Sequence, residues 1–209
     1  MEIGSIAALW RYPVKALRGE ALTDARVRAD GIEGDRAAAL LVTSPQHARS
    51  GKAYRGKESS RLHLTGDPQI AASYAHDAGV EVVLDRSQPH YFDSSPISLL
   101  VDLWVQDVEA LVGEQLDPLR WRPNIYVTAA RGFTAREPAL VGETLRTGDV
   151  TLRVLKTIGR CVTTTYDQQT GESLPSVLSE VATQRDNVVG VYCEVITPGT
   201  LHVGDPITR

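Results

Sequence analysis

Cysteine is scarce in this chain: Cys161 and Cys193 are the only two among 209 residues. That number makes neither a disulfide framework nor a zinc site, and it leaves no cysteine set for an iron–sulfur cluster. No apolar run approaches the roughly 20 residues that a membrane-spanning helix needs. The opening stretch Met1–Lys15 has no basic start before its apolar part, so no signal peptide is expected, and the expected compartment is the cytoplasm. Lys and Arg form no stripe and the net charge is −4, which argues against nucleic acid or an anionic membrane as partner. The five histidines are scattered without metal-ligand spacing. There is no nucleotide-binding glycine motif, no internal repeat and no low-complexity segment.

What is present is ordinary globular composition, 42% hydrophobic and 23% charged, in a chain long enough for one large or two small domains. Short strand-like segments dominate. Ile3–Leu9, Ala21–Ala29, Ala37–Val42, Arg61–Thr65, Glu81–Leu84, Ile125–Thr128, two pieces within Leu140–Leu155, Val188–Ile196 and Leu201–Val203 all read as strands. Ile70–Ala78 is ambiguous between helix and strand. Ser44–Ser60 is polar, with two glycines and several basic residues, and reads as a mobile loop, with a lid as one possibility. Ser95-Pro96 carries the start signal of a helix whose apolar face holds Val101, Trp104, Val105, Val108, Leu111 and Val112, with Gly113 as its stop. A second short helix follows Pro175. Many short strands and two clear helices indicate a mainly β (α+β) chain built from barrels or paired sheets. The turn-rich Asp85–Ser95 divides it into residues 1–88 and 89–209.

The richest stretch is Thr157–Asp167. It sets Cys161 directly after Arg160 and follows it with Thr163, Thr164, Thr165 and Asp167. A thiol beside a fixed positive charge has more thiolate character, and the thiolate is both nucleophile and metal ligand. The competing reading is a β-strand with Cys161 as a small buried hydrophobe. Cys193 shares a strand face with Val189, Val191 and Val195 and is expected in the core. Elsewhere, Lys15 follows Tyr12-Pro13-Val14, Arg36 stands at the mouth of an apolar run after a two-glycine turn, and Arg122 and Asn124 flank Pro123. An arginine can grip a phosphate, and an amide suits the edge of a pterin-like ring, although each has a plain surface reading as well.

Taken in order, Tyr12-Pro13-Val14-Lys15, Gly34-Asp35-Arg36, Arg122-Pro123-Asn124-Ile125, Arg160-Cys161 with its threonines and Asp167, and the closing Pro198-Gly199-Thr200 and Val203-Gly204-Asp205-Pro206 resemble the MOSC domain proteins. The branch they look most like is that of the amidoxime-reducing component and its bacterial relatives. The resemblance implies an N-terminal β-barrel-like domain followed by a MOSC β-barrel, with a few short helices and a molybdenum cofactor (Mo-molybdopterin) between the two. It implies Cys161 as the molybdenum ligand, with Lys15, Arg36, Arg122, Asn124 and Arg160 at the cofactor and Asp167 as a proton-handling or supporting group. The activity implied is reduction of N-hydroxylated compounds or N-oxides by oxygen-atom transfer, with electrons from a separate redox protein. A carrier of persulfide or cofactor, and a binding module with a decayed site, are the alternatives. The chain departs from the family pattern at Ala16, Val101, Trp104 and Gly159, where hydroxyl residues are usual, and at Gln168, where proline is usual.

Overall fold

The computed structural model describes all 209 residues. In chain order its strands are β1 Glu2–Arg11, β2 Glu20–Leu22, β3 Asp24–Arg28, β4 Gly31–Ile32, β5 Ala39–Val42, β6 Val82–Asp85 and β7 Ile97–Val101. There follow β8 Ile125–Ala129, β9 Thr144–Thr147, β10 Val150–Gly159, β11 Val188–Thr197, β12 Gly199–His202 and β13 Pro206–Thr208. The helices are α1 Pro68–Asp77, α2 Asp102–Val112 and α3 Pro175–Gln184, with short 3-10 turns between strands.

Seven strands close a barrel in the order β13-β9-β10-β11-β7-β8-β1, with β1 returning to β13. Closure removes the exposed sheet edges that invite association. Where β1 crosses β8 the backbones approach so closely that a Cβ on Gly4 would stand 2.0 Å from the Thr128 carbonyl oxygen, and only glycine fits. One large core of 30 residues fills the barrel and reaches out to α2 and α3. It includes Cys193, fully buried on β11 as expected. A separate core of ten residues, all between Val14 and Val80, packs α1 against the antiparallel pair β5–β6. The first strand of the chain thus belongs to the barrel, while most of the next 70 residues build a smaller unit beside it.

Two expected elements differ. Ser95-Pro96 does not open the helix. All five residues of Ile97–Val101 are buried as β7, which lies parallel to β8, and α2 starts only at Asp102. Parallel neighbours need a crossover, and α2 is that crossover. Asp102 Oδ1 accepts the N–H groups of Leu103 and Ala129, tying the helix start to the end of β8. An apolar run inside a sheet outweighed a local Ser-Pro signal. The Gly113 stop is as expected, with a left-handed backbone, and so is the burial of Trp104, Val105 and Val108, but Leu111 of the expected face is exposed and Val101 belongs to β7. Arg61–Thr65 is not a strand but a 3-10 turn, Ser60–Leu64. A strand would send Leu62 and His63 to opposite faces; here both are buried, Leu62 in the small core and His63 toward a cleft. The ambiguous Ile70–Ala78 is helical, started by Asp67, whose side chain accepts from Gln69 N.

Candidate functional site

A cleft of about 330 Å³ lies between the barrel and the smaller unit. Its walls carry seven Lys and Arg side chains against one carboxylate, Asp93. On a chain of net charge −4 this is a strong segregation of charge, and it makes the cleft an anion site. Lys15, Arg36, Arg122, Arg160 and Cys161 all line it, although they are spread over nearly 150 positions of the sequence.

Each of these residues is placed by local structure. Gly34-Asp35-Arg36 is a turn in which Asp35, 4% exposed, accepts the Tyr12 N–H at 2.7 Å through Oδ1 and the Arg36 guanidinium through Oδ2. Arg36 and Arg122 both have left-handed backbones, which turn them inward. The Tyr12 ring lies between them, 4.8 Å from the Arg36 guanidinium carbon and 4.3 Å from that of Arg122. Two like charges are thus held together by one aromatic face and one buried carboxylate. Burial pushes Arg122 down to about 10, yet it stays charged at neutral pH. Burial also opposes charge on Arg36, but Asp35 outweighs it and raises Arg36 above its usual value. Burial lifts the Tyr12 phenol to about 12, so it stays neutral and donates to Pro123 O at 3.1 Å.

Strand β10 ends at Gly159, and the chain turns at Arg160-Cys161 into the 3-10 turn Val162–Thr165. The Arg160 guanidinium donates to the carbonyls of Val189 and Trp121 and is pushed down to about 10 by burial. It can reach Val189 because residue 190 is glycine: a Cβ there would stand 2.9 Å from Arg160 Nη2. Cys161 is exposed, with Sγ 3.1 Å from Thr163 Oγ1. The strand reading of this stretch therefore holds only as far as Gly159, and the thiol is not a core residue.

Asn124 and Asp167 take other places. Asn124 is 1% exposed and does not line the cleft; its Oδ1 accepts from Ser98 N, Ser98 Oγ and Arg36 Nη1. In this position it braces Ser98 and Arg36 from behind. Asp167 likewise lies off the cleft. Its Oδ1 accepts the N–H groups of Gln169 and Thr170, and its Oδ2 holds Arg120 at 3.1 Å. Burial tends to raise its pKa, but those N–H groups and Arg120 outweigh burial and hold the carboxyl below its usual range. An ionised carboxylate of that kind positions Arg120 and is a poor proton donor. Ser98, Thr163 and Thr164 line the cleft, although the Ser98 hydroxyl is bonded to Asn124 and the Thr164 hydroxyl donates to Cys161 O, whereas Val101 and Trp104 are core residues.

Sequence reading missed His63, Arg120 and Tyr192. The basic residue types were visible, but only the fold brings them to the cleft. Tyr192 lines the cleft, and burial raises the pKa of its phenol, although Arg160 opposes this. His63 is pressed down to about 3 by burial first and by Arg122 second. Below pH 6.5 the unfolded chain therefore takes a proton that the folded one refuses, so stability falls from pH 6.5 toward 3 by up to about 1.4 kcal/mol per pH unit. His63→Gln removes this contribution. Between pH 7 and pH 5 the cofactor-free variant should lose about 2 kcal/mol less than the wild type in urea denaturation.

Three buried donors in or beside the cleft have no partner: Arg120 Nε, Trp121 Nε1 and Arg122 Nη2. Buried donors are almost always satisfied, so together they call for an acceptor-rich ligand. No group of three or more His, Cys, Asp or Glu side chains is arranged to hold a metal. Any metal at Cys161 must then be brought by a ligand with donors of its own. A phosphate-bearing pterin dithiolene with one protein thiolate fits this set.

Residues 86–208 match the family model described as MOSC domain, and residues 3–85 match that described as MOSC N-terminal beta barrel domain. The chain belongs to the MOSC family. The mitochondrial amidoxime-reducing component 1 of Danio rerio is 29% identical over 128 residues, which cover 57% of this chain and 38% of that protein. The mitochondrial amidoxime reducing component 2 of Rattus norvegicus is 31% identical over 144 residues, covering 62% and 41%. The chain thus spans about two fifths of the length of these relatives. The YuaD protein of Bacillus subtilis shares the fold, with a TM-score of 0.53 at 14% identity, 98% of this chain and 93% of that one being covered. The MOSC family and these relatives tie the chain to molybdenum-cofactor-related function. No helix is long and apolar enough to cross a membrane.

Proposed function

We propose that this MOSC protein is a molybdenum-cofactor oxidoreductase that reduces N-hydroxylated compounds or N-oxides. The observation that carries the reading is an exposed thiol, Cys161, at the wall of a cation-lined cleft with unpartnered buried donors. The balanced reaction takes a hydroxylamine-type N–OH, two electrons and two protons to N–H and water. When bound, the cofactor supplies the two-electron centre that takes the oxygen.

The chain's own residues bind and orient. Cys161 offers one thiolate. Lys15, Arg36 and Arg122 hold the phosphate and pterin, lysine as a point charge and the arginines through paired N–H groups. Arg160 fixes the turn that carries Cys161 by bonding two backbone carbonyls. The Tyr192 hydroxyl, kept protonated by burial, is available to donate toward an oxygen in the cleft. Asp167 keeps Arg120 in place. Electrons come from a separate redox protein, since the chain has no iron–sulfur cysteines and no nucleotide motif.

The test is reduction of benzamidoxime by the molybdenum-loaded protein. Amidine should form with reduced viologen as electron donor and not with NADH alone. A fully loaded protein that forms no amidine with viologen overturns the reading. The exposure of Cys161 also fits a carrier of persulfide or cofactor; an extra sulfur atom in the intact mass, lost on Cys161→Ser, would favour that instead.

A further inference from the structure

The segment between β5 and the turn at Ser60–Leu64 brings a separate set of cations to the cleft. Arg55, Gly56 and Lys57 line it from this side. Gly56 is seated beside the thiol's own partner: a Cβ on it would stand 3.3 Å from Thr163 Cγ2 and 2.6 Å from His63 Nε2. Thr163 is the residue whose hydroxyl meets Cys161 Sγ. These cations therefore flank the end of the cleft where the thiol lies.

The segment is built rather than loose. Tyr54 is 2% exposed and its N–H donates to Leu40 O at 2.7 Å. The Glu58 carboxylate accepts both the backbone N–H and the Nε–H of Arg55 at 2.6 Å. Arg49 donates to Ala53 O from Nε and Nη2. Arg55 is thus fixed through Nε and Nη2, and its Nη1 is left free. Lys57 is exposed at the rim of the cleft. Below them, His63 is 1% exposed, and its tautomer follows from its neighbour. Arg122 Nη1 lies 3.3 Å from His63 Nδ1, and a guanidinium only donates, so Nδ1 accepts and Nε2 carries the hydrogen, which faces the backbone carbonyls of Ala16 and Gly56. A fixed guanidinium edge and an exposed ammonium, both lining the cleft near its thiol end, suit an anion in addition to any cofactor phosphate.

We infer that Arg55 and Lys57 form the substrate-selecting rim of the cleft, and that the substrate carries an anionic group, a carboxylate or phosphate, beside its N–O bond. This rests on the reductase reading and names the substrate class for it. The opposing assignment is that both cations serve only the cofactor.

The experiment measures binding, so it is independent of turnover. Calorimetry on the molybdenum-loaded protein compares 4-carbamoylbenzoate with neutral benzamide, neither of which has an N–O bond to reduce. The carboxylate should bind about tenfold tighter at low salt, and its advantage should shrink as ionic strength rises. Arg55→Ala with Lys57→Ala should abolish the preference, with the benzamide affinity and the molybdenum content unchanged. Lys57→Glu, on an exposed side chain, keeps the test open if the double variant misfolds, and it should invert the preference. Equal binding of the two ligands to the wild type, a preference that survives in the variants, or loss of molybdenum from them would each overturn the inference. The reductase reading fails by a different result: a protein that prefers the carboxylate but reduces neither benzamidoxime nor its 4-carboxy analogue has the anion rim without the activity.

Discussion

Cys161→Ser is expected to take the molybdenum content of protein from a cofactor-producing host from about one atom per chain to less than about a tenth of that. The reason is the poverty of protein ligands. No cluster of His, Cys, Asp or Glu can compensate, and a serine hydroxyl is neither soft nor ionised at neutral pH. Pterin should be retained better than metal, because Lys15, Arg36 and Arg122 are untouched. The fold should not change: Cys161 is exposed, and surface substitutions usually stay within about 0.5 kcal/mol. Metal and pterin analysis beside a thermal melt of the cofactor-free proteins checks all three points. A wild type that holds neither molybdenum nor pterin would sink the enzyme reading.

Asp35→Ala is expected to cost about 3–5 kcal/mol of stability, the usual result of removing one partner from a buried ion pair. Asp35 has a side chain with no exposure. It balances Arg36, and through Tyr12 it faces Arg122 as well. Without it two half-buried guanidinium groups meet across one tyrosine ring, and the Tyr12 N–H loses its acceptor. Asp35→Asn keeps the shape and an acceptor for that N–H while losing the charge, so it should be less damaging. Urea denaturation gives both values. Inorganic phosphate should recover more stability in Asp35→Ala than in the wild type, because an anion in the cleft takes over the neutralising role. Equal midpoints for the wild type and Asp35→Ala would mean that the two arginines do not need this carboxylate.

The strands with strong apolar periodicity were legible in the chain, as were the Gly113 stop and the core position of Cys193. Five of the residues that meet in the cleft, Lys15, Arg36, Arg122, Arg160 and Cys161, were legible through the resemblance to the MOSC family, since each of them taken alone also has a plain surface or strand reading. The Ser95-Pro96 signal misled because helix start signals are local, whereas the burial of Ile97–Val101 depends on strands well over 20 positions away in sequence. Arg61–Thr65 failed for a related reason: a short segment that buries adjacent residues follows no strand period.

The sequence by itself determined a mainly β chain of MOSC type and the residues able to carry its chemistry. Tertiary structure alone decided how those residues act. Closing the barrel through β1 and β13 and setting the smaller unit against it brings distant cations into one cleft on an acidic protein. Packing set Asn124 and Asp167 behind the cleft wall, where they hold Arg36 and Arg120, and it brought His63, Arg120 and Tyr192 to the cleft. The physical reason is that charge, hydrogen-bonding capacity and backbone constraint belong to residues and can be read from them one at a time. Burial, desolvation and convergence belong to the neighbours that the fold supplies.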